Sequence, residues 1–283
     1  MTRSDLAPLL IALHDLQDKI TLDKRHTYRK EKQPKAGTTT VIKTLNAPQL
    51  NSWMVRVQVE GTARAAWNYP PPTWAQQVSE EEQLAGEAEY IDELVALAKK
   101  EFEHERIANA AADLGNQVHG LIHHAVVTQL GGEMPEPQAT DQALFIFAGW
   151  REWADRVGLE PLMAEGKIHH PALDYCGTFD LLALVDGQPT ILDWKASPRM
   201  YDERRLQSAA YRMALMYSGW PPLQGAIVCL PRDGGEIQTM QACPPGPSLD
   251  ATFEAFTALL RVYRWQKEVA RAERKAAKDD EAA

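Results

Sequence analysis

The chain has 283 residues, 45% of them hydrophobic and 24% charged, enough for one large domain or for a core with substantial attachments. Its 30 basic and 39 acidic residues leave a formal net charge of −9, which argues against a protein that coats nucleic acid over its whole surface but leaves room for a local positive groove. A membrane protein, a secreted protein and a cysteine-held metal or redox centre are not expected. No run reaches the roughly 18 to 20 apolar residues that span a bilayer. Acidic residues interrupt the apolar start, with no small-residue cleavage site after it, and Cys176, Cys229 and Cys243 match no metal or redox spacing. A reducing, cytoplasmic setting is the expectation.

The first twenty residues read as a short helix. ITLDKRHTYRKE and GTTTVIKTL follow as β-prone pieces separated by the turn-like KQPKAG. From Lys19 to Lys43, eight Lys or Arg residues stand against Asp23 and Glu31, a local net of +6. Within this stretch Lys24, Arg25, Arg29 and Lys30 are candidates for phosphate contact, the alternative being a solvated edge. A helix is predicted from Asn46 or Pro48, then NYPPPTW breaks regular structure. A long helical region runs from about Ser79 to Gln129, where Gly115 either interrupts it or permits close packing, and GGEMPEP ends it. Another helix covers about Asp141 to Val157.

Near Glu165 the character changes. KIHH, GTFDLLALV, TILDWKA, GAIVCL and EIQTM read as strands. A helix from about Asp202 to Tyr217, closed by Gly219, Pro221 and Pro222, sits between the third and fourth. From Ser248 a long helix places Phe253, Phe256, Leu260 and Tyr263 on one face, with a tail, RAERKAAKDDEAA, expected to fray. The predicted organisation is a mainly helical region with a possible β-hairpin over 1–160, a mixed α/β core over 161–247 completed by the helix 103–129, and a C-terminal helix over 248–283. The N-terminal region is expected to roof the cleft of the core.

Asp186 and Gly187 form the best hairpin turn in the chain. With these two as the loop, counting outward from Val185 and Gln188 puts Asp180 opposite Asp193 on one face, Cβ atoms about 4.5–5.5 Å apart. Lys195, two residues beyond Asp193, shares that face. Each charge interrupts an otherwise apolar strand, and two buried carboxylates repel and lose hydration, so something must compensate them. A hard divalent cation does so, Mg²⁺ by preference for oxygen ligands, and Lys195 can then orient a water or offset charge on a phosphate. The competing reading is a buried Asp–Lys ion pair with Asp180 at a strand end. In the helix after Lys195, Arg204, Gln207 and Tyr211 form a polar stripe at spacings of three and four. It is either a solvated face or, beside a phosphate site, a way to hold the lysine, the attacking water or DNA.

In GTFD at 177–180, ILDWKAS at 191–197, LQSAAY at 206–211 and LGNQVHG at 114–120, in this order and spacing, the chain resembles the PD-(D/E)XK nuclease superfamily. The likeness is to its exonuclease branch of phage-type, RecB-type nuclease-domain and mitochondrial genome maintenance exonucleases. TTTVIKTL followed by LNSW resembles the N-terminal segment of the phage-type and mitochondrial members. The resemblance implies an α/β fold of restriction-endonuclease type, a mixed central sheet flanked by helices. It implies Asp180, Asp193 and the Trp194 backbone carbonyl as metal ligands, with His119 helping to hold a metal and Glu165 as a further acidic ligand. Lys195 would be the catalytic lysine, with Gln207 and Tyr211 the QxxxY element near the DNA.

The implied cofactor is Mg²⁺, with Mn²⁺ able to substitute. Ala196 departs from the Thr of many relatives, and three cysteines cannot form the four-cysteine iron–sulfur cluster that some relatives carry. A zinc site drawing on His119, His123, His124, His169 and His170 is the weaker alternative, because no HExxH occurs. Trp53, Trp67, Trp74, Trp150 and Trp153 are either stacking platforms for unpaired bases or structural. The implied activity is hydrolysis of DNA from an end, single- or double-stranded, in recombination, repair or phage DNA processing, with a recombination annealing protein as a candidate partner. The alternatives are a structure-selective or flap endonuclease with the same centre, and a catalytically silent DNA-binding protein.

Overall fold

The computed structural model describes residues 2–24, 27–45, 89–91, 93, 103–195, 200–233, 235–242 and 247–281. The chain divides into two compact units, residues 1–45 with 115–283, and residues 46–114. Of the second unit, residues 89–91, 93 and 103–114 are described, all helical. The helix predicted from Asn46 lies outside the described residues.

The first unit is built on an eight-stranded mixed sheet flanked by helices. Helix α1 (Ala7–Gln17) leads into β1 (Ile20–Leu22), β2 (Tyr28–Lys30) and β3 (Gln33–Gly37), an antiparallel meander that ends in the short helix α2 (Thr38–Ile42). Helices α3 (Glu103–Gln129) and α4 (Asp141–Arg156) follow. Then come β4 (Glu160–His170), β5 (Tyr175–Val185), β6 (Gln188–Lys195), α5 (Asp202–Tyr217), β7 (Gln224–Cys229), β8 (Gln238–Gln241) and α6 (Pro247–Glu281). Strand β5 is central. β4 pairs antiparallel along one of its edges, while the other edge is shared, β3 pairing parallel at Tyr175 and Cys176 and β6 antiparallel over Leu181–Val185. β7 lies parallel to β6, the arrangement that requires a crossover, here α5.

Two sequence expectations at the N-terminus are corrected. In KQPKAG only Lys32 belongs to a turn, QPKAG being strand β3, and TTTVI is helix α2 rather than a strand. The turn lies earlier, at Glu31 and Lys32, both in the left-handed region (φ 53 and 63), which is the twist-matched geometry of a two-residue hairpin without its usual glycine. Thr38 is β-prone alone, but its hydroxyl donates to the Cys176 carbonyl at 2.9 Å and pins the start of α2 to β5. Helix α6 extends to Glu281, in keeping with the content of Ala, Glu, Lys and Arg in its last turns. Helix α3 runs unbroken through Gly115, where an added Cβ would meet no atom within 4 Å among the described residues.

Helices cover both sheet faces. Ile191 packs in one core with Leu206, Ala210, Tyr211 and Ala214 of α5, to which α1 adds Leu10, Leu13 and its N-cap Leu6, and α6 adds Phe256 and Leu260. Because side chains alternate along a strand, Asp193 and Lys195 share the Ile191 face. Trp194 turns the other way, held edge-on by Trp150 and Trp153 of α4 at 6.0 and 6.1 Å. Trp150 and Trp153 are buried there and present no face to an unpaired base. No helix among the described residues is long and apolar enough to cross a membrane.

Candidate metal centre

The Asp186–Gly187 turn forms as expected, with φ of 49 and 72, and sets the register Val185↔Gln188 through Leu181↔Leu192. Main-chain pairing stops there, one step before Asp180 and Asp193. In place of the next ladder bond, the Asp180 carboxylate accepts the Trp194 backbone N–H at 2.9 Å. The strands thus part at the point where the acidic residues begin, with β6 pairing β5 on one side of the gap and β3 pairing it on the other.

On the opposite edge, the pairs Ala164↔Leu181 and Gly166↔Phe179 bracket Glu165 and put it at the register position facing Asp180. Glu165 adopts φ 48, rare for a side chain of this size, within a strand that already carries a register shift between Pro161 and Met163. His119 of α3 completes the group, its Nε2 lying 2.5 Å from Glu165 Oε1. One donor atom from each of His119, Glu165 and Asp180 lies within 4.8 Å of the other two, a potential metal-binding cluster. Asp193 is not one of these three. Its buried carboxylate makes an ion pair with Lys195 Nζ and accepts no hydrogen bond among the described residues.

The electrostatics follow from this crowding. Burial, and then the Asp193 charge, push the Asp180 carboxyl up to about 7 against the opposing pull of Lys195, His119 and the Trp194 N–H. Burial alone would depress His119, but its hydrogen bond to Glu165 and the Asp180 and Glu165 charges hold the imidazolium above its ordinary range. Two carboxylates and one imidazole nitrogen form an oxygen-rich donor set, with the buried Asp193 carboxylate, paired to Lys195, nearby. This donor set fits a divalent metal cation. His123 and His124, half-buried one turn further along α3, are outside the cluster.

Tyr211 of the predicted polar stripe is buried, because Gly177 of β5 leaves room for its ring. A Cβ at 177 would lie 2.5 Å from Tyr211 Cε1 and 2.7 Å from Thr38 Oγ1. The Tyr211 hydroxyl accepts from Gln207 Nε2 at 2.8 Å. Arg204 is half-buried with its guanidinium 4.9 Å over the Tyr201 ring. The stripe thus runs from the half-buried Arg204 and Gln207 to the buried Tyr211. Of the basic N-terminal candidates, Lys24 and Arg29 are exposed, Lys30 Nζ lies 3.2 Å from His169 Nδ1, and Arg25 is outside the described residues. Residues 196–199 are outside them too.

The sequence missed how Glu165 reaches Asp180, since a left-handed residue inside a strand has no compositional signal. It also missed the Trp150–Trp153 cage behind Trp194, for which spacing alone was the signal. No protein-family model and no curated protein matches the chain. The fold and the cluster together define a mixed α/β protein with a potential metal-binding site compatible with nuclease-type chemistry.

Proposed function

We propose that the protein is a Mg²⁺-dependent DNA exonuclease of PD-(D/E)XK type. The observation that carries this reading is the convergence of His119, Glu165 and Asp180, with Asp180 standing where β5 and β6 part and Asp193 followed two residues later by Lys195. Asp180, Asp193, Glu165, His119 and the Trp194 backbone carbonyl are the groups that would hold the cation. When bound, the cation supplies Lewis-acid stabilisation of charge on the phosphate and lowers the pKa of water. Lys195 holds a proton at Nζ beside Asp193, placed to offset charge developing on phosphoryl oxygens and to orient the attacking water. Gln207 and Tyr211 hold the wall of the site beside β5, and Arg204 adds positive charge toward Asp193.

The test is digestion of end-labelled single- and double-stranded DNA together with covalently closed circles, in Mg²⁺ and in EDTA. Exonuclease action predicts Mg²⁺-dependent shortening from ends, with circles intact. Rapid cutting of single-stranded circles assigns the same centre to an endonuclease, and binding without cleavage in Mg²⁺ or Mn²⁺ assigns the fold to a silent binding protein.

A further inference from the structure

The segment 261–278 of α6 carries seven Lys or Arg residues against Glu268 and Glu273, a net of +5 before Asp279, Asp280 and Glu281 end the helix, in a chain whose total is −9. The fully buried positions of the helix end at Leu260, which lies with Phe256 and Leu249 against α2 and α5, and Tyr263 is the last to pack on the core. Beyond it almost every position is exposed, and Trp265 is 61% exposed, flanked by Val262 and Val269 at 43% and 37%. At 3.6 residues per turn, the seven cations fall within an arc of about 140°, which also holds Glu268 near the Trp265 side. Val262, Trp265, Val269, Ala272 and Ala276 form a stripe along one border of that arc. Arg264 is committed to the Leu173 and Asp174 carbonyls, and Lys267 lies 5.5 Å from the Tyr263 ring centre. Arg261, Arg271, Arg274, Lys275 and Lys278 are exposed along the rest.

We propose that this cationic arc is a docking surface for single-stranded DNA, its phosphates lying along the arc and a base stacking on Trp265. The proposal rests on the nuclease reading and extends it to a second contact outside the metal centre. Charge selects the occupant: an excess of five positive charges on a protein otherwise strongly negative matches a polyanion. The stripe contains only three large apolar side chains, too few for the roughly 1,200 Å² or more buried by stable self-association. An exposed indole beside arginines is the combination that binds unpaired strands through stacking and phosphate contact. Over 18 residues the helix offers about 27 Å of such surface.

The test compares the parent chain with Trp265→Ala and with the quadruple variant Arg271→Gln, Arg274→Gln, Lys275→Gln, Lys278→Gln. Fluorescence anisotropy of a labelled single-stranded oligonucleotide of about 20 nucleotides is followed in Ca²⁺ over a salt series, with the matching duplex and anionic vesicles as further ligands. The expected result is at least tenfold weaker single-strand binding by the quadruple variant, with the salt slope reduced by about 2 to 3 for four lost contacts at roughly 0.7 each. Trp265→Ala should weaken single-strand binding by several-fold, leave the salt slope unchanged and erase the preference over duplex. Cleavage of a six-nucleotide substrate should stay at the parental rate in both variants.

An unchanged affinity and salt slope in the quadruple variant overturns the docking surface, while Mg²⁺-dependent cleavage by that variant keeps the nuclease reading. A shift from dimer to monomer in the variants by light scattering, or binding to anionic vesicles without binding to the oligonucleotide, also overturns it in favour of a second copy or a lipid surface. A parent chain that neither binds nor cuts any DNA overturns both readings.

Discussion

The Asp180 carboxylate accepts the Trp194 N–H at 2.9 Å, one step beyond the last main-chain pair of β5 and β6. A side chain thus takes the place of a ladder carbonyl and holds the two strands together while they part. Asp180→Asn keeps an acceptor for that N–H but removes the charge, so the fold should survive and Mg²⁺-dependent cleavage should be lost. The sign of the stability effect follows from the raised pKa. In the parent, Asp180 is protonated up to about 7 when folded and only up to its ordinary 3.8 when unfolded, so its contribution is full below pH 4 and disappears as pH rises through 7. Asp180→Asn lacks that loss. In EDTA its melting temperature should exceed the parent's at pH 8, with the gap narrowing at pH 5. Asp180→Ala, which strands the Trp194 N–H at a cost of roughly 1–3 kcal/mol, should melt below Asp180→Asn. Melts of the three proteins at the two pH values check both statements, and a gap that widens toward pH 5 refutes the charge argument.

Glu165 reaches the site only because its backbone adopts φ 48. Glu165→Ala and Glu165→Gly both remove the carboxylate and the partner of His119, but only alanine keeps a Cβ in that strained conformation, a cost on the order of 1 kcal/mol. The glycine variant should therefore melt higher than the alanine variant, and both should lose metal-dependent cleavage. Equal melting temperatures would show that the left-handed conformation carries no strain here.

The parts of the fold that were readable from sequence are those with local codes. Asp186 and Gly187 take positive φ values at low cost, so the hairpin register, and with it the placing of Asp180 near Asp193, could be counted. The helix Asp202–Tyr217 has acidic residues at its start and breakers at its end, and it forms over the predicted span. What was not readable depends on distant partners. The hairpin turn at Glu31–Lys32 contains no glycine, and Thr38 is helical because Cys176, 138 residues away, accepts its hydroxyl. The approach of His119 to Glu165 joins two elements 46 residues apart, and no periodicity encodes it.

Tyr211 is buried because position 177 has no side chain. Gly177→Ala places a methyl group 2.5 Å from the Tyr211 ring and 2.7 Å from Thr38 Oγ1, so the ring, α2 or β5 must shift. Overpacking of this kind costs typically about 1–3 kcal/mol. The Gln207–Tyr211 hydrogen bond should be disturbed and cleavage slowed, although no metal-cluster residue has changed. Tyr211→Phe, which loses the hydroxyl and leaves the packing intact, separates the two causes. It should lose less stability than Gly177→Ala in a denaturant titration. A Gly177→Ala protein as stable as the parent would mean that the space beside β5 is larger than these distances allow.

Lys195 has two tasks that its replacement separates. It pairs with the buried Asp193 carboxylate, and it stands two residues beyond Asp193 on the same sheet face, beside the cluster. In Lys195→Ala, Asp193 keeps its charge in a buried position without its ion partner, so the metal-free protein should be destabilised, by up to a few kcal/mol for a buried pair broken on one side. Mg²⁺ should then raise the melting temperature of the variant more than that of the parent, because the cation becomes the remaining counter-charge. On the chemical side, the saturated single-turnover rate should fall by about 10² or more, the usual scale for a lost acid–base group, while DNA affinity measured in Ca²⁺ changes little. Arg29→Gln, at an exposed position of β2, provides the contrast. If that edge touches phosphate, affinity and its salt dependence should fall while the saturated rate stays near the parental value. A Lys195→Ala protein that cleaves at the parental rate once saturated, yet melts low in EDTA, would make this lysine a partner for Asp193 and nothing more. The catalytic assignment would then fall even with the metal cluster intact.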